Sequence, residues 1–300
     1  MYKLKQFIKK IVTKLNNIFY TKYVKYFKNY LRLSSTPFIS GDTFRSFSKH
    51  KFDESSKINI GKMKENDIVF VKTDFLEQFI ENYMHDLPDK IKLITHNSDI
   101  NITENLIHSI ESKKIHWFAQ NLLLDSDSKN NIHFIPIGFE NRNWFKNGKL
   151  NNLKNIEIPT EKINKLFVGF NTNTNSERVT ALSMLDKNDT AVFFRRAPHK
   201  KYMEEMSKYK LALCPEGNGV DTHRIWESLL VRTLPVMKKS KFSTNLISNG
   251  VPVFLIEDWS DLNNLTEEQI FDIYNKNLSS LTDVKVLYSK YWLELIEKIK

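Results

Sequence analysis

From residue 66 onward, short apolar runs alternate with stretches whose apolar residues recur every three or four positions. Asp67–Lys72 (DIVFVK), Lys90–Thr95 (KIKLIT), Ile115–Phe118 and His133–Ile137 (HFIPI) read as buried strands. Phe75–His85 and Glu104–Glu111 read as the helices between them. A polar, Asn/Lys-rich stretch over 141–163, with Gly148 and Pro159, reads as a linker. A second alternation follows, with strands at Lys165–Phe170, Ala191–Arg195, Lys210–Cys214, Leu234–Met237 and Val251–Ile256. The intervening helices are predicted over 176–185, 199–209, 222–231, 242–248 and 266–277, and a last helix over 284–299. Two consecutive βα alternations predict an α/β protein of two Rossmann-like domains facing across a cleft. The expected boundaries are 34–160 for the first domain, 161–283 for the second and 284–300 for the closing helix.

Residues 1–33 differ from this body. Leu4, Phe7, Ile8, Ile11, Val12 and Leu15 begin an apolar stripe at helical spacing, and lysines fill the other face. The segment holds nine basic residues and no Asp or Glu, so most of the net charge of +10 belongs to it, and the body is nearly neutral. That distribution argues against nucleic acid as a partner, although a basic nucleic-acid-binding protein is the rival class from charge alone. An acid-free amphipathic helix suits an anionic membrane surface; a helix packed on the protein's own core is the alternative. The tail lacks the small-residue cleavage site of a secretory signal; a cytoplasmic location, peripheral at the membrane surface if the tail docks there, is the expectation. One Cys among 300 residues excludes a disulfide framework, and Cys214, in an apolar strand, is expected in the core.

Only eight of the 45 basic residues are Arg, and Arg178, Arg195, Arg196, Arg224 and Arg232 cluster within 55 positions. Arg offers a planar fork for phosphate. The stretch Tyr209–Met237, YKLALCPEGNGVDTHRIWESLLVRTLPVM, reads strand, Pro/Gly loop, helix, strand. Loops at strand C-termini hold ligands in open α/β sheets. Within this loop, Glu216, Gly217, Asn218 and Gly219 are candidate ligand contacts, the glycines because they let backbone approach a ligand. Asp221 or Thr222 would cap the next helix, whose N-terminus suits a phosphate. Arg224 and Glu227 share one face of that helix, the acid placed to accept ribose hydroxyls.

This stretch resembles the nucleotide-sugar segment of exostosin-type glycosyltransferases: an apolar strand into C-P-x-G, D-x-x-R-x-x-E on a helix, and a run ending P-V. It is less similar to that of α1,3-fucosyltransferases. FVGFNTNTNSER resembles the first strand and phosphate-facing turn of the same domain, and FISGDTFR, THNSD and IPIGFENRNW resemble segments of related bacterial and viral proteins. The resemblance covers about 165–260 closely and 35–150 distantly. It implies a GT-B-like fold, a nucleotide-sugar donor (UDP- or GDP-linked) on the second domain, a glycan or lipid-linked acceptor on the first, and no obligatory metal or other cofactor. It also implies donor contacts from Arg224 and Glu227, with Asn171, Arg178 and Asp221 beside them; Arg196 joins them from the arginine cluster. Val231-Arg232 stands where many relatives have a Gly. A catalytically inactive nucleotide-sugar-binding relative is the remaining alternative.

An inverting transfer needs a base on the acceptor side. Asp99 and His96 in THNSD, after a strand, and Asp42 in SGDTFR are the catalytic candidates, with Asp99 first. Asp125-Ser126-Asp127 spells D-x-D but sits in a plain loop, so no metal site is expected.

Overall fold

The computed structural model describes residues 32–108, 115–124, 131–185, 188–195 and 197–299. The expected tail helix, the distal part of helix 104–111, Asp125-Ser126-Asp127 and Arg196 lie outside the described residues.

Two five-stranded, all-parallel sheets form the core of two α/β domains across a cleft, the arrangement the sequence predicts. In the first domain, β1 (His50–Phe52), β2 (Ile68–Lys72), β3 (Lys92–His96), β4 (His116–Ala119) and β5 (Ile132–Phe134) lie side by side in chain order. The centre of β2 is fully buried and β3 is buried throughout, as near-continuous apolar runs require in a parallel sheet covered on both faces. Helices α1 (Gly41–Phe47), α2 (Leu76–Tyr83) and α3 (Glu104–His108) accompany them. The sequence pattern did not announce α1. It is held by Ser40, whose side chain accepts from the Thr43 N–H, and it buries Asp42, Thr43 and Phe44.

The expected linker is structured in part: it contains the short helix α4 (Asn151–Lys154), and Leu153 is buried. The second domain runs β6 (Ile163–Val168), α5 (Glu177–Leu185), β7 (Ala191–Phe193), α6 (His199–Met206), β8 (Tyr209–Leu213), α7 (His223–Leu230), β9 (Leu234–Lys238), α8 (Lys241–Ser248) and β10 (Phe254–Ile256). Its strand order is β7-β6-β8-β9-β10, so the direction of winding reverses between β6 and β8. Connections to either side diverge there and leave a crevice at the strand C-termini.

After α9 (Glu267–Thr282), capped by a Thr266–Gln269 box, the chain returns to the first domain. The Ile39 and Ser289 N–H groups donate to the carbonyls of Leu287 and Pro37. Helix α10 (Ser289–Lys298) then buries Trp292 against Phe134, ring centroids 5.8 Å apart, and the Lys92 ammonium donates to the Glu297 carbonyl at 3.1 Å. On the same side Asn245 of α8 donates to the carbonyls of Leu122 and Leu124, and Phe242 meets Phe134. Both helices therefore buttress the first domain from beyond its sequence boundary. Arg32 likewise belongs to the body rather than the tail, paired with Asp42 and Glu54.

Candidate active site

The crevice at the β6/β8 reversal opens into a cavity of about 740 Å³, within the range of small-molecule sites. Phe170 and Asn171 reach it from the end of β6, Arg195 from beyond β7, and Thr222, Arg224 and Glu227 from the start of α7. Arg178 on α5 and Arg224 on α7 stand over the Phe170 ring, their guanidinium carbons 5.6 and 5.4 Å from its centroid. Among the described residues neither has a carboxylate within ion-pair distance. Arg178 is spent on the backbone: Nε donates to the Glu216 carbonyl at 2.7 Å and one terminal nitrogen to the Asn171 carbonyl at 2.8 Å. Burial, then the positive charge of Arg224, lowers its pKa to about 10, so it stays protonated at neutral pH. Arg224 has capacity left. Its Nε donates to the Tyr202 hydroxyl at 3.0 Å, while one terminal nitrogen is buried with no partner. Burial opposes its charge, but Tyr202, Cys214 and Glu227 outweigh that and raise its pKa.

The N-terminus of α7 has no side-chain cap, and the Thr222 hydroxyl is buried without a partner. An uncapped helix start beside an unspent guanidinium is an anion seat. Glu227, one turn along, binds His199 Nε2 through one carboxylate oxygen at 2.7 Å. Burial alone would raise its pKa, but the hydrogen bond from His199 and the electrostatic influence of His199, His223 and Arg224 bring it below the usual range, so Glu227 is an acceptor-only carboxylate at neutral pH.

The loop expected to cradle the donor does something else. A Cβ on Gly217 would lie 3.0 Å from an Arg178 nitrogen, and one on Gly219 would lie 2.9 Å from the Asn121 side-chain amide of the first domain. These glycines admit close packing of the loop against protein. Neither they nor Glu216 line this cavity, and Asn218 lines the neighbouring one instead. Asp221 neither caps α7 nor faces the cavity. Its two oxygens accept from the Ile137 N–H at 2.6 Å and the Trp226 indole N–H at 2.9 Å, pinning the domains together, and burial raises its pKa to about 7. Cys214 is buried as expected, its thiol pushed up to about 12 by burial.

A second cavity of about 600 Å³ lies on the first domain, and Glu140 and His223 line both cavities, so the two lobes meet there. His223 Nδ1 hydrogen-bonds the Gly138 carbonyl at 2.7 Å and Nε2 lies 3.6 Å from Glu140. Burial disfavours its charge, but Glu140 and the Gly138 carbonyl outweigh burial and raise its pKa. Asp99 is exposed on the wall of this lobe. His96 also lines it, but both ring nitrogens are engaged: Nε2 donates to the Pro136 carbonyl at 3.0 Å and Nδ1 accepts from the Asn97 N–H at 2.7 Å. Burial drives its pKa down to about 4. Asp42 lies behind the wall, fully buried, accepting from Arg32 and Asn97; burial raises its pKa. The structure thus brings Asn171, Arg178, Arg224 and Glu227 to one lobe and Asp99, His96 and Asn218 to the other, and leaves Asp42, Glu216, Gly217, Gly219 and Asp221 lining neither.

The sequence pattern missed Glu140, Tyr202, Phe170 and Trp144. For Glu140 and Trp144 a signal existed: the acid, amide and aromatic run ENRNW sits in the loop that leaves the end of β5, beyond Phe134. Among the described residues no group of three or more His, Cys, Asp or Glu is placed to hold a metal ion.

No protein-family model matches this chain. No curated protein matches it either. Solved structures with a similar trace include OtsA in its apo form, with a TM-score of 0.46 and 9% identity over 80% of this chain and 75% of that one. Another is an alpha,alpha-trehalose-phosphate synthase (UDP-forming) from Burkholderia vietnamiensis, at 0.43 and 9% over 78% and 75%. A third is the pneumococcal O-GlcNAc transferase GtfA in complex with UDP and GlcNAc, at 0.40 and 10% over 78% and 57%.

Proposed function

We propose that this chain is a glycosyltransferase that moves a sugar from a nucleoside-diphosphate donor, UDP- or GDP-linked, to a hydroxyl of an acceptor, with inversion and without a metal. The observation that carries this is Arg224 over Phe170, one terminal nitrogen buried without a partner and no carboxylate within ion-pair distance among the described residues, at an uncapped helix start in the crevice of a doubly wound sheet, with the charge of Arg178 beside it. Such a seat suits a diphosphate, and Glu227 beyond it suits two ribose hydroxyls. The acceptor hydroxyl would attack the anomeric carbon from the first-domain lobe. The bond from that carbon to the diphosphate oxygen breaks, and the departing charge rests on Arg224 and the α7 N-terminus, which is electrostatic catalysis. The hydroxyl proton goes to a carboxylate. We assign that role to Glu140, because it borders both lobes, and place Asp99 second, because it borders the acceptor lobe alone. Residues 1–31 are proposed to hold the enzyme on an anionic membrane surface.

The test is calorimetric titration of the full chain with UDP-, GDP-, CMP- and dTDP-sugars. Binding of a UDP- or GDP-sugar, followed by release of free nucleoside diphosphate on addition of acceptor, supports the reading. A folded protein that binds none of the four overturns it.

A further inference from the structure

We infer that the first-domain lobe is built for a saccharide bearing no anionic group, neutral or amino-substituted; this rests on the glycosyltransferase reading and narrows its acceptor.

Gln120 marks the lobe as a binding site. The residue is only 2% exposed and lines the cavity; its amide nitrogen donates to the Ser98 carbonyl at 3.0 Å, and its oxygen is buried with no partner. A lone buried acceptor is costly unless something donates to it. A ligand O–H or N–H does so; a phosphate or carboxylate oxygen cannot. Trp144, 49% exposed, supplies an apolar wall to the same cavity, against which the C–H face of a pyranose ring can be removed from water.

Charge decides which saccharides enter. Among the described residues that line the lobe, Arg32 and Lys72 are already answered by carboxylates, and His223 faces Glu140. Arg32 donates to Asp42 and Glu54, and the Lys72 ammonium lies 3.8 Å from Glu54 and 3.5 Å from Asp74. Asp99 has no cation within ion-pair distance among the described residues, and Glu140 has only His223, at 3.6 Å. The lobe therefore carries an excess of negative charge, whereas Arg178, Arg195, Arg224 and Lys146 make the donor lobe positive. An anionic donor is drawn to one side of the cleft, and an anionic acceptor is repelled from the other. An acceptor joined to lipid through a diphosphate must keep that group outside the lobe.

The experiment uses the full chain, with UDP present, on an array of defined oligosaccharides: neutral (cellotriose, maltotriose), amino (glucosamine trimer), uronic (hyaluronan tetramer) and phosphorylated (phosphomannan trimer). Binding confined to neutral or amino probes is expected. Trp144→Ala and Gln120→Leu should each weaken it by about tenfold, the scale of one lost hydrogen bond or stacking wall, with UDP affinity unchanged. Asp99→Lys should admit the acidic probes. Preference of the wild-type protein for uronic or phosphorylated probes, or capture of no saccharide by protein that binds UDP normally, overturns the inference. Loss of UDP binding itself overturns the donor reading instead.

Discussion

Arg224→Met separates a binding arginine from a structural one. The methionine keeps an unbranched apolar stem beside Phe170, so packing is largely preserved. It removes the guanidinium, whose one terminal nitrogen is buried without a partner, and vacates the Tyr202 hydroxyl. In the free protein that unpartnered nitrogen contributes nothing, so the stability lost should be no more than that of the single Nε hydrogen bond to Tyr202, about 1 kcal/mol. In the complex it would make a charge-assisted hydrogen bond to a phosphate oxygen, worth about 1.5–3 kcal/mol, or about 10- to 150-fold in Kd. Arg178→Met should behave in the opposite way. It leaves the carbonyls of Glu216 and Asn171 without their donors and frees the loop beneath, so it should lower Tm by several degrees, about 2 kcal/mol or more. The assay is calorimetry with UDP alone at two ionic strengths, alongside thermal unfolding of both variants. Salt should weaken UDP binding to the wild type more than to Arg224→Met, because screening acts on the charge removed. UDP affinity within about twofold of wild type in Arg224→Met would refute the assignment of the phosphate seat.

Glu140→Gln should lower turnover by about 100-fold or more, the lower range of general-base catalysis, with donor affinity unchanged; near-normal turnover would move the role to Asp99, to be checked with Asp99→Asn. The folded state holds the His96 pKa near 4, below the unfolded value of 6.5, so it favours the neutral ring. Its stabilisation is present above pH 6.5 and is lost as pH falls towards 4, by about 3 kcal/mol, and urea titrations of His96→Gln should show a shallower acid limb than wild type. Asp221 acts in the opposite sense: raised to about 7, its folded carboxyl retains a proton that the unfolded chain releases above 3.8, so its contribution fades as pH rises through 7. Gly138 has φ +67°, and a Cβ there would lie 2.5 Å from the Ile39 carbonyl oxygen, so Gly138→Ala should cost more than about 2 kcal/mol in chemical denaturation; an unchanged midpoint would show that this turn yields. Deleting residues 1–31 should abolish sedimentation with anionic liposomes and leave UDP binding intact, whereas unfolding of the truncated chain would make the tail part of the core.

Most strands were legible because parallel strands buried on both faces are written as unbroken apolar runs, as in IVFVK of β2 and KLITH of β3. β1 was not, being three residues with only Phe52 buried. HFIPI ends as a strand at Phe134, two residues before Pro136, which has no N–H to give a ladder. Arg178, Arg224 and Glu227 could be singled out because their residue types are rare or placed on one helix face. The role of the glycine loop could not, because what Gly217 and Gly219 admit is Arg178 and Asn121, and neither neighbour is near them in sequence. Nor could the pairing of Glu227 with His199, 28 positions apart and joined only when α6 and α7 pack together.

The return of the last helix to the first domain sets an order on synthesis. When residues 34–160 have left the ribosome, the side of the first sheet at Phe134 still lacks Trp292, and the backbone at Pro37 and Ile39 still lacks Ser289 and Leu287. The second domain has all ten of its own elements by residue 282 and can close its sheet first. The domain made first is thus finished last, and a chain that stops a few residues short of α10 exposes an apolar flank on the opposite domain from the one that was cut. Quality control that samples exposed apolar surface would therefore read the presence of α10 from the first domain.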